Sequence, residues 1–294
     1  MPIIHHHISA LRATLQLYRA KQQRIALVPT MGNLHDGHLE LVKIAKQHAD
    51  IVVVSIFVNP TQFGVGEDFD SYPRTLDDDV AKLANVGADY VFAPSIDEMY
   101  PVLPPPTSVR AGEITRQLCG QSRPSHFDGV GIVVSKLFNI VQPDVAIFGQ
   151  KDYQQLAIIK QLVRDLSYAI DIIGAPIVRA ADGLALSSRN QYLSESERQT
   201  APILQQELQY LAKKIGDGKY EQQGFEEVLE ESRQRITRAG FIIDYLEIKT
   251  AELTAIAHKH ASVSDNQTFV ILVAAWLGRA RLLDNQLVTV KQPL

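Results

Sequence analysis

The chain lacks the features that mark secreted, membrane-spanning and disulfide-rich proteins. It has a single cysteine among 294 residues, Cys119, so no internal disulfide can form and a reducing compartment is indicated. Its longest apolar runs, such as residues 269–277, are too short to span a bilayer. Residues 1–7 contain no basic segment followed by an apolar run, which a signal peptide would need. These absences predict a cytoplasmic protein without a membrane partner.

The chain also lacks an excess of positive charge. Its formal net charge is −4, and its Lys and Arg residues are scattered rather than clustered, so no basic patch for nucleic acid is predicted. What it has is 46% hydrophobic and 21% charged residues, a composition typical of a soluble globular enzyme. The length suffices for one large domain or two modest ones.

Hydrophobic periodicity predicts an alternation of strands and helices through the first half of the chain. Behind an amphipathic first helix, residues 25–28, a turn, and residues 39–48 and 51–58 have the pattern of a strand, a helix and a second strand. The alternation continues with helices at 75–86, 129–141 and 153–166 and strands at 90–93 and 145–148. This order is typical of an α/β fold, a Rossmann-like doubly wound parallel sheet, in which ligands bind beyond the carboxyl ends of the strands.

The pattern changes after Val178. A capping-box sequence at 194–197 predicts a helix running to about residue 215, followed by a helix at 225–239 and strands at 242–248 and 268–276. We therefore expect a Rossmann-like domain at 1–178 and a smaller C-terminal α+β domain at 179–294, closing over the first as a lid. Residues 182–190 form the loop near the boundary, and clefts between domains are favoured ligand sites.

Two histidines, His35 and His38, stand at the predicted junction of a strand and a helix, with Gly37 between them. The first-turn amides and the dipole of that helix would face an anion, and two imidazoles can donate hydrogen bonds to phosphate oxygens. The alternative is a capped helix start with two solvated histidines. Zinc binding would need a third ligand, which the neighbouring sequence does not offer.

Two later segments carry charge or hydroxyl groups suited to phosphate. Lys151, beside Asp152, follows a predicted buried strand, so its ammonium reaches the carboxyl edge of the sheet. Ser187, Ser188 and Arg189 supply two hydroxyls and a planar fork of donors. Taken alone, the first could be a solvated ion pair and the second an ordinary turn.

Four segments together resemble one family. The strings PTMGNLHDGH (29–38), VSIFVNPTQF (54–63), FGQKDYQQ (148–155) and LSSRN (186–190) match, in order and spacing, the pantothenate synthetase (pantoate–β-alanine ligase) family. That family belongs to the nucleotidyltransferase superfamily that includes class I aminoacyl-tRNA synthetases. The resemblance implies an AMP-forming ligase that makes an amide bond by ATP-dependent condensation of (R)-pantoate with β-alanine. The reaction would pass through a pantoyl adenylate and release pyrophosphate and AMP.

The resemblance also implies roles for particular residues. It gives His38, His35 and Lys151 a catalytic part as donors to phosphate, and it implies a homodimer. Gln62 and Gln155 would bind pantoate and β-alanine, since neutral amides can grip a hydroxy acid without burying a fixed charge. The implied ATP-binding residues are Met31, Gly32, Asn33, Leu34, His35, Asp36, Gly37, His38, Gly149, Gln150, Lys151, Asp152, Val178, Leu186, Ser187, Ser188 and Arg189.

Asp77, Asp78 and Asp79 fall in the first turn of a predicted helix, where negative charge complements the helix dipole. By resemblance, Asp78 is the residue that would meet Mg²⁺, an ion usually held by one or two carboxylates together with substrate phosphates. The chain departs from the family pattern at Gln150, where Glu is usual, and at Leu186, where Met is usual. Neither change removes a charged phosphate contact.

Three other functions compete with this one. A related nucleotidyltransferase acting on a phosphate ester would want more positive charge than Gln62 and Gln155 provide. A nucleotide-sensing module without turnover would leave those glutamines and Ser187, Ser188 and Arg189 without a role. A NAD-dependent dehydrogenase is disfavoured because no Gly-x-Gly-x-x-Gly follows the first strand, and no Gly-x-x-x-x-Gly-Lys-Ser/Thr phosphate loop is present.

Overall fold

The apolar, β-branched segments of the first half of the chain pair as one six-stranded parallel sheet in the order β1-β4-β3-β2-β5-β6. The computed structural model describes residues 1–64, 66–217, 224–254 and 267–290. The strands are β1 Ile3–His5, β2 Ile25–Thr30, β3 Ile51–Ile56, β4 Tyr90–Phe92, β5 Val145–Gly149 and β6 Asp171–Ala175. From β2 the chain proceeds to β3 and β4 on one side, then returns to β5 and β6 on the other. The predicted doubly wound sheet is thus confirmed.

Helices cover both faces of this sheet. On one face, Ala26 and Val28 of β2 pack with Leu41 and Val42 in a shared apolar cluster. Ile25 and Leu27 alternate to the other face and are also fully buried, because helix α6, His126–Val141, packs against β2 there. The helices of this half are α1 Ile8–Arg19, α2 Asp36–His48, α3 Leu76–Asn85, α4 Ile96–Met99, α5 Cys119–Ser122, α6 His126–Val141 and α7 Tyr153–Asp165.

The second half forms a three-stranded antiparallel sheet in the order β7-β8-β9. Helices α9, Ile203–Gly216, and α10, Gly224–Arg238, share one apolar cluster with the sheet. The cluster includes Leu208, Val228 and Phe269. The predicted smaller α+β part is confirmed as an antiparallel sheet with helices. Its elements are α8 Glu195–Thr200, α9 Ile203–Gly216, α10 Gly224–Arg238, β7 Ile242–Thr250, β8 Thr268–Leu277 and β9 Ala280–Thr289.

The chain separates into two compact units, Met1–Gln150 with Gln154–Ile177, and Lys151–Tyr153 with Val178–Leu294. Lys151 therefore groups with the second unit, although it follows a strand of the first. Among the described residues, no helix has the length and apolar character needed to cross a membrane.

The sequence-based prediction missed some strands and misplaced the ends of some helices. The outer strands β1 and β6 and the last strand β9 were missed; β1 has only three residues and β6 begins with an exposed Asp171, so neither forms a continuous apolar run. The helix expected from residue 194 to 215 is two helices, because Pro202 cannot donate to the carbonyl four residues before it. Helices α2 and α6 each begin three residues earlier than expected, at Asp36 and His126.

Candidate active site

Hydrogen bonds to a carboxylate from another helix fix the backbone of the turn between β2 and α2. Gly32 and Asn33 have φ angles of +83° and +50°, a left-handed backbone that glycine and asparagine tolerate best. The fully buried Asp79 of α3 accepts hydrogen bonds from the Asn33 and Leu34 amides at 2.9 and 2.7 Å. Lys82 donates to the Leu34 carbonyl at 2.7 Å. Helix α3 thus fixes the course of the turn.

The two histidines of the turn cap helix α2. His35 is the N-cap residue, and its Nδ1 accepts a hydrogen bond from the Gly37 amide at 3.1 Å. The Nδ1 atom of His38 accepts one from the His35 amide at 3.4 Å, and the two rings lie 4.1 Å apart. A neutral imidazole whose Nδ1 accepts carries its proton on Nε2. Both histidines are therefore oriented as Nε2–H donors. The two roles that the sequence suggested, capping the helix and binding phosphate, are compatible.

Gln62 lies in a short 3-10 turn, Pro60–Gln62, that follows β3. Its Oε1 accepts from the Nδ2 of the buried Asn59 at 3.0 Å, which orients the amide. Its Nε2 donates to the Met31 sulfur at 3.0 Å and has a second hydrogen to donate. Asn59 is oriented in turn by Tyr100, whose hydroxyl donates to Asn59 Oδ1 at 2.9 Å. Burial raises the pKa of the Tyr100 phenol, which keeps it protonated as a donor.

The start of helix α6 holds the same turn from another side. His126 Nδ1 donates to the Gln62 carbonyl at 2.8 Å, and Arg123 lies 3.1 Å from the other ring nitrogen of His126. Arg123 also forms a two-point ion pair with Glu67, at 2.7 and 2.6 Å. Burial by itself would raise the pKa of Glu67, but the hydrogen bonds and charge of Arg123 lower it to about 2.

The two adjacent glutamines of α7 differ in role. Gln154 is buried, accepts from the Cys119 amide and donates to the carbonyls of Ile114 and Gln117, so its amide is fully used in holding a loop. Gln155, the predicted pantoate residue, is half-buried, and no hydrogen bond of its side chain occurs within the described part of the chain. Its amide is therefore available to a ligand.

Lys151 lies in the 3-10 turn Gln150–Asp152 directly after β5. Its ammonium is 3.7 Å from the Asp152 carboxylate, and its side chain is 19% exposed. The Nδ2 of Asn285 donates to the Lys151 carbonyl at 3.0 Å. The backbone of Lys151 is thus tied to strand β9 of the second unit.

The loop that carries the predicted serines and arginine follows a small hairpin. The Leu186 amide donates to the Val178 carbonyl at 2.9 Å, and Ser187 Oγ accepts from the Arg189 amide at 3.3 Å at the start of the 3-10 turn Ser188–Tyr192. Ser187 is thereby the cap of this turn, as one alternative reading of the sequence proposed. Ser188 is half-buried like Ser187, but its hydroxyl forms no hydrogen bond within the described residues, so it is the stronger candidate donor to a phosphate oxygen.

Of the three consecutive acids on α3, only Asp79 is buried, and its carboxylate is used in the turn; Asp77 and Asp78 are exposed. Within the described ranges, no group of three or more His, Cys, Asp or Glu side chains is arranged to hold a metal ion. A single exposed carboxylate at Asp78 fits Mg²⁺ only together with phosphate oxygens from ATP.

Sequence reasoning missed Asp79, Asn59, Arg123 and Asn285, which contact the backbone or side chains of predicted site residues. Asp79 was expected only to complement the helix dipole. The available signal was its place beside Val80, at a helix position that the apolar periodicity turns inward. No local signal pointed to Asn285, which lies 134 residues from its partner Lys151.

The sequence profile of the pantoate–β-alanine ligase family matches residues 3–287 of this chain. The pantothenate synthetase of Psychrobacter arcticus is 81% identical over 294 residues, which is 100% of both chains. That of Acinetobacter baylyi is 55% identical over 286 residues, covering 97% of this chain and 98% of the other.

Solved structures agree with the sequence relatives. Pantothenate synthetase from Thermus thermophilus superposes with a TM-score of 0.86 at 40% identity, covering 97% of this chain and 98% of that one. Pantoate–β-alanine ligase from Francisella tularensis, solved with β-γ ATP and β-alanine, superposes with a TM-score of 0.76 at 34% identity, covering 98% of each chain. The chain belongs to the pantoate–β-alanine ligase family.

Proposed function

We propose that this chain, an amide-forming ligase of that family, condenses pantoate with β-alanine in a reaction driven by ATP. The pantoate carboxylate attacks the α-phosphorus of ATP in line, which releases pyrophosphate and leaves pantoyl adenylate. The amine of β-alanine then attacks the mixed anhydride, forms the amide and releases AMP. No enzyme nucleophile is needed, so catalysis depends on alignment and on stabilisation of charge at the transferring phosphate.

The observation that carries the proposal is the paired orientation of His35 and His38. Both rings are set to donate from Nε2, and both stand at the N-terminus of α2, where backbone amides and the helix dipole attract an anion. Two donors oriented before the substrate arrives are what a phosphate needs, because no reorganisation is required when charge develops. We assign His38 and His35 to the phosphates as donors, with Lys151 as the cation.

The remaining ATP contacts are assigned by the family motifs. Residues 1–178 are proposed as the nucleotide- and pantoate-binding domain, and residues 179–294 as the smaller domain that supplies the serine and arginine donors. The proposed ATP-binding set is Met31, Gly32, Asn33, Leu34, Asp36, Gly37, Gly149, Gln150, Asp152, Val178, Leu186, Ser187, Ser188 and Arg189, beside the two histidines and Lys151.

Pantoate is assigned to Gln62 and Gln155. The Oε1 of Gln62 is occupied by Asn59, so its Nε2 supplies the hydrogen bonds to a carboxylate or hydroxyl oxygen. Gln155 can both donate and accept, as a substrate with hydroxyl groups requires. Neutral amides bind the acid without lowering the nucleophilicity of its carboxylate as strongly as a cation would.

Asp78 is proposed to hold Mg²⁺ together with the phosphate oxygens of ATP. The ion would supply neutralisation of charge on those oxygens. We further propose that the protein is a cytoplasmic homodimer.

The test replaces His38 and, in a separate control variant, a second histidine of the same helix. The protein is mixed with ATP, Mg²⁺ and pantoate without β-alanine, and bound pantoyl adenylate and ATP–pyrophosphate exchange are measured. We expect wild type to accumulate the adenylate, and His38→Ala to lose exchange by about a hundredfold or more with its fold intact. The control is His48→Ala, which removes an exposed histidine at the other end of the same helix and leaves exchange unchanged. Near-normal exchange in His38→Ala would overturn the assignment.

A further inference from the structure

Two consecutive buried polar residues of strand β9, Asp284 and Asn285, form hydrogen bonds with Arg179 and Lys151, in or next to the segments of the second unit that are proposed to bind phosphate. They are only 6% and 5% exposed. Successive side chains of a strand point to opposite faces, so the two residues contact different parts of the chain. Each of these parts belongs to, or lies next to, a segment that is proposed to bind ATP.

Asp284 forms a two-point ion pair with Arg179, at 2.6 and 2.8 Å. Arg179 also donates to the Gly183 carbonyl at 3.0 Å and pairs with Ala185 across a small hairpin. The second arm of that hairpin ends at Leu186, directly before the donor loop of Ser187, Ser188 and Arg189. The pair therefore ties the base of the donor loop to β9, which also packs against the Ser188–Tyr192 turn.

Asn285 donates from Nδ2 to the Lys151 carbonyl at 3.0 Å. Lys151 lies in a one-turn 3-10 helix, so its backbone has few internal hydrogen bonds to fix the direction of its side chain. A side-chain amide is the suitable partner, because a carbonyl needs a donor and an aspartate at this position could not supply one.

We propose that Asp284 and Asn285 are positioning residues for the adenylylation step. Asp284, acting through Arg179, fixes the position of the donor loop. Asn285 holds the backbone of Lys151 and so fixes the position of its ammonium. Because the two are adjacent on one rigid strand, they fix the lysine and the donor loop relative to each other. Neither residue touches ATP. The inference rests on the proposed ATP role of Lys151 and the donor loop.

The test uses isosteric variants with controls from the same sheet. Asn285→Leu removes the donor, and Asp284→Asn removes the charge from the pair. The control for the first is Gln286→Leu, whose amide donates to the next carbonyl of its own strand. The control for the second is Asp244→Asn, which removes the charge from the Arg281–Asp244 ion pair of the same sheet; the Asp244 side chain is 20% exposed, against 4% for Asp284.

We expect both test variants to lower kcat/KM for ATP in pyrophosphate exchange by about tenfold to a hundredfold, since a displacement of about 1 Å costs that much. The KM for pantoate stays unchanged, because both residues proposed to bind it, Gln62 and Gln155, belong to the first unit. Both controls stay within about twofold of wild type. A purely structural role predicts instead a lower melting temperature with unchanged kcat/KM per folded molecule, and that result would overturn the inference.

A double-mutant cycle separates the positioning role of Asn285 from the proposed ATP role of Lys151, on which it rests. If Asn285 acts through Lys151, Asn285→Leu weakens ATP binding in wild type, measured by calorimetry, and adds nothing in a Lys151→Ala background. Additive losses would overturn the positioning role. If Lys151→Ala alone binds ATP and catalyses exchange normally, the proposed function of Lys151 fails and the inference fails with it. If Lys151→Ala is impaired while Asn285→Leu is normal, only the inference fails.

Discussion

Replacing Asp79 by asparagine is the sharpest probe of how the turn before α2 is held. The carboxylate accepts three hydrogen bonds: the Asn33 and Leu34 amides donate at 2.9 and 2.7 Å, and the Thr75 hydroxyl at 3.1 Å. Asparagine has the same shape, but one of its terminal atoms is an NH₂ group, which cannot accept. One backbone amide of the turn must then face another donor.

The expected cost follows from these contacts. Losing a hydrogen bond to a charged acceptor and leaving a buried amide without a partner costs about 2–4 kcal/mol. Replacing a buried carboxylate by a neutral amide recovers about 1 kcal/mol of desolvation. We therefore expect Asp79→Asn to lower the free energy of unfolding by about 1–3 kcal/mol. We also expect the KM for ATP to rise by about tenfold or more, since the histidines follow the displaced turn.

Urea denaturation followed by circular dichroism measures the first effect and pyrophosphate exchange the second. Asp77→Asn is the matched control, because Asp77 is exposed on the same helix turn and contributes only its interaction with the helix dipole, about 0.3–1 kcal/mol. Equal losses of stability in the two variants, or an Asp79→Asn protein that is destabilised but binds ATP normally, would refute the reasoning.

Two further predictions concern the turn that carries Gln62. A Cβ at Gly129 would lie 2.1 Å from the Thr61 carbonyl oxygen, so Gly129→Ala should push the turn away and raise the KM for pantoate by about tenfold or more. Because the pKa of Glu67 is lowered to about 2 in the folded protein, its pair with Arg123 contributes stability above the ordinary pKa of 4.5 and loses it as pH falls toward 2. The difference in unfolding free energy between wild type and Arg123→Gln should therefore shrink as the pH falls from about 5 to about 2.

Each of these has a control and a refuting outcome. Gly64→Ala adds a Cβ that meets only ordinary contacts, at 3.6 Å or more, and should leave the KM for pantoate unchanged. Arg116→Gln breaks an exposed pair with Glu113 and should give a small difference at every pH. An unchanged pantoate KM in Gly129→Ala, or an Arg123→Gln difference that does not vary with pH, contradicts the corresponding prediction.

Local pattern was enough to predict most of the sheet and the position of the nucleotide turn. Strands β2, β3 and β5 each have at least four consecutive buried residues, nearly all of them apolar, and the turn at 30–38 carries its own glycines and histidines. The edge strands β1 and β6 were missed because their stability comes from pairing with a neighbour already in place, such as Ile3 with Tyr90. Strand β4 is equally short, but all three of its residues are buried, whereas those of β1 are exposed or half-buried and give a weaker apolar signal.

The support of the site could not be predicted for a different reason. Asp79 lies 46 residues from Asn33, and Asp284 lies 105 residues from Arg179. A sequence shows that an acid falls on an inward position, but the backbone donor that it meets depends on how distant elements pack. Gln154 and Gln155 show the same limit over one residue: both are amides on one helix, yet only the fold decides which is used to hold Ile114 and Cys119.

Three of the contacts described above hold a predicted site residue in the same way, through its backbone. Asp79 binds the amides of the turn, His126 binds the carbonyl of Gln62, and Asn285 binds the carbonyl of Lys151. In each case a polar side chain from elsewhere in the chain forms a hydrogen bond with the backbone of a predicted site residue. A contact of this kind fixes the position of the residue without itself using the side-chain donors that a phosphate or carboxylate needs. Loss of a holding residue should therefore misplace the donor while leaving its chemistry intact, and the defect should be largest for the substrate that the donor contacts.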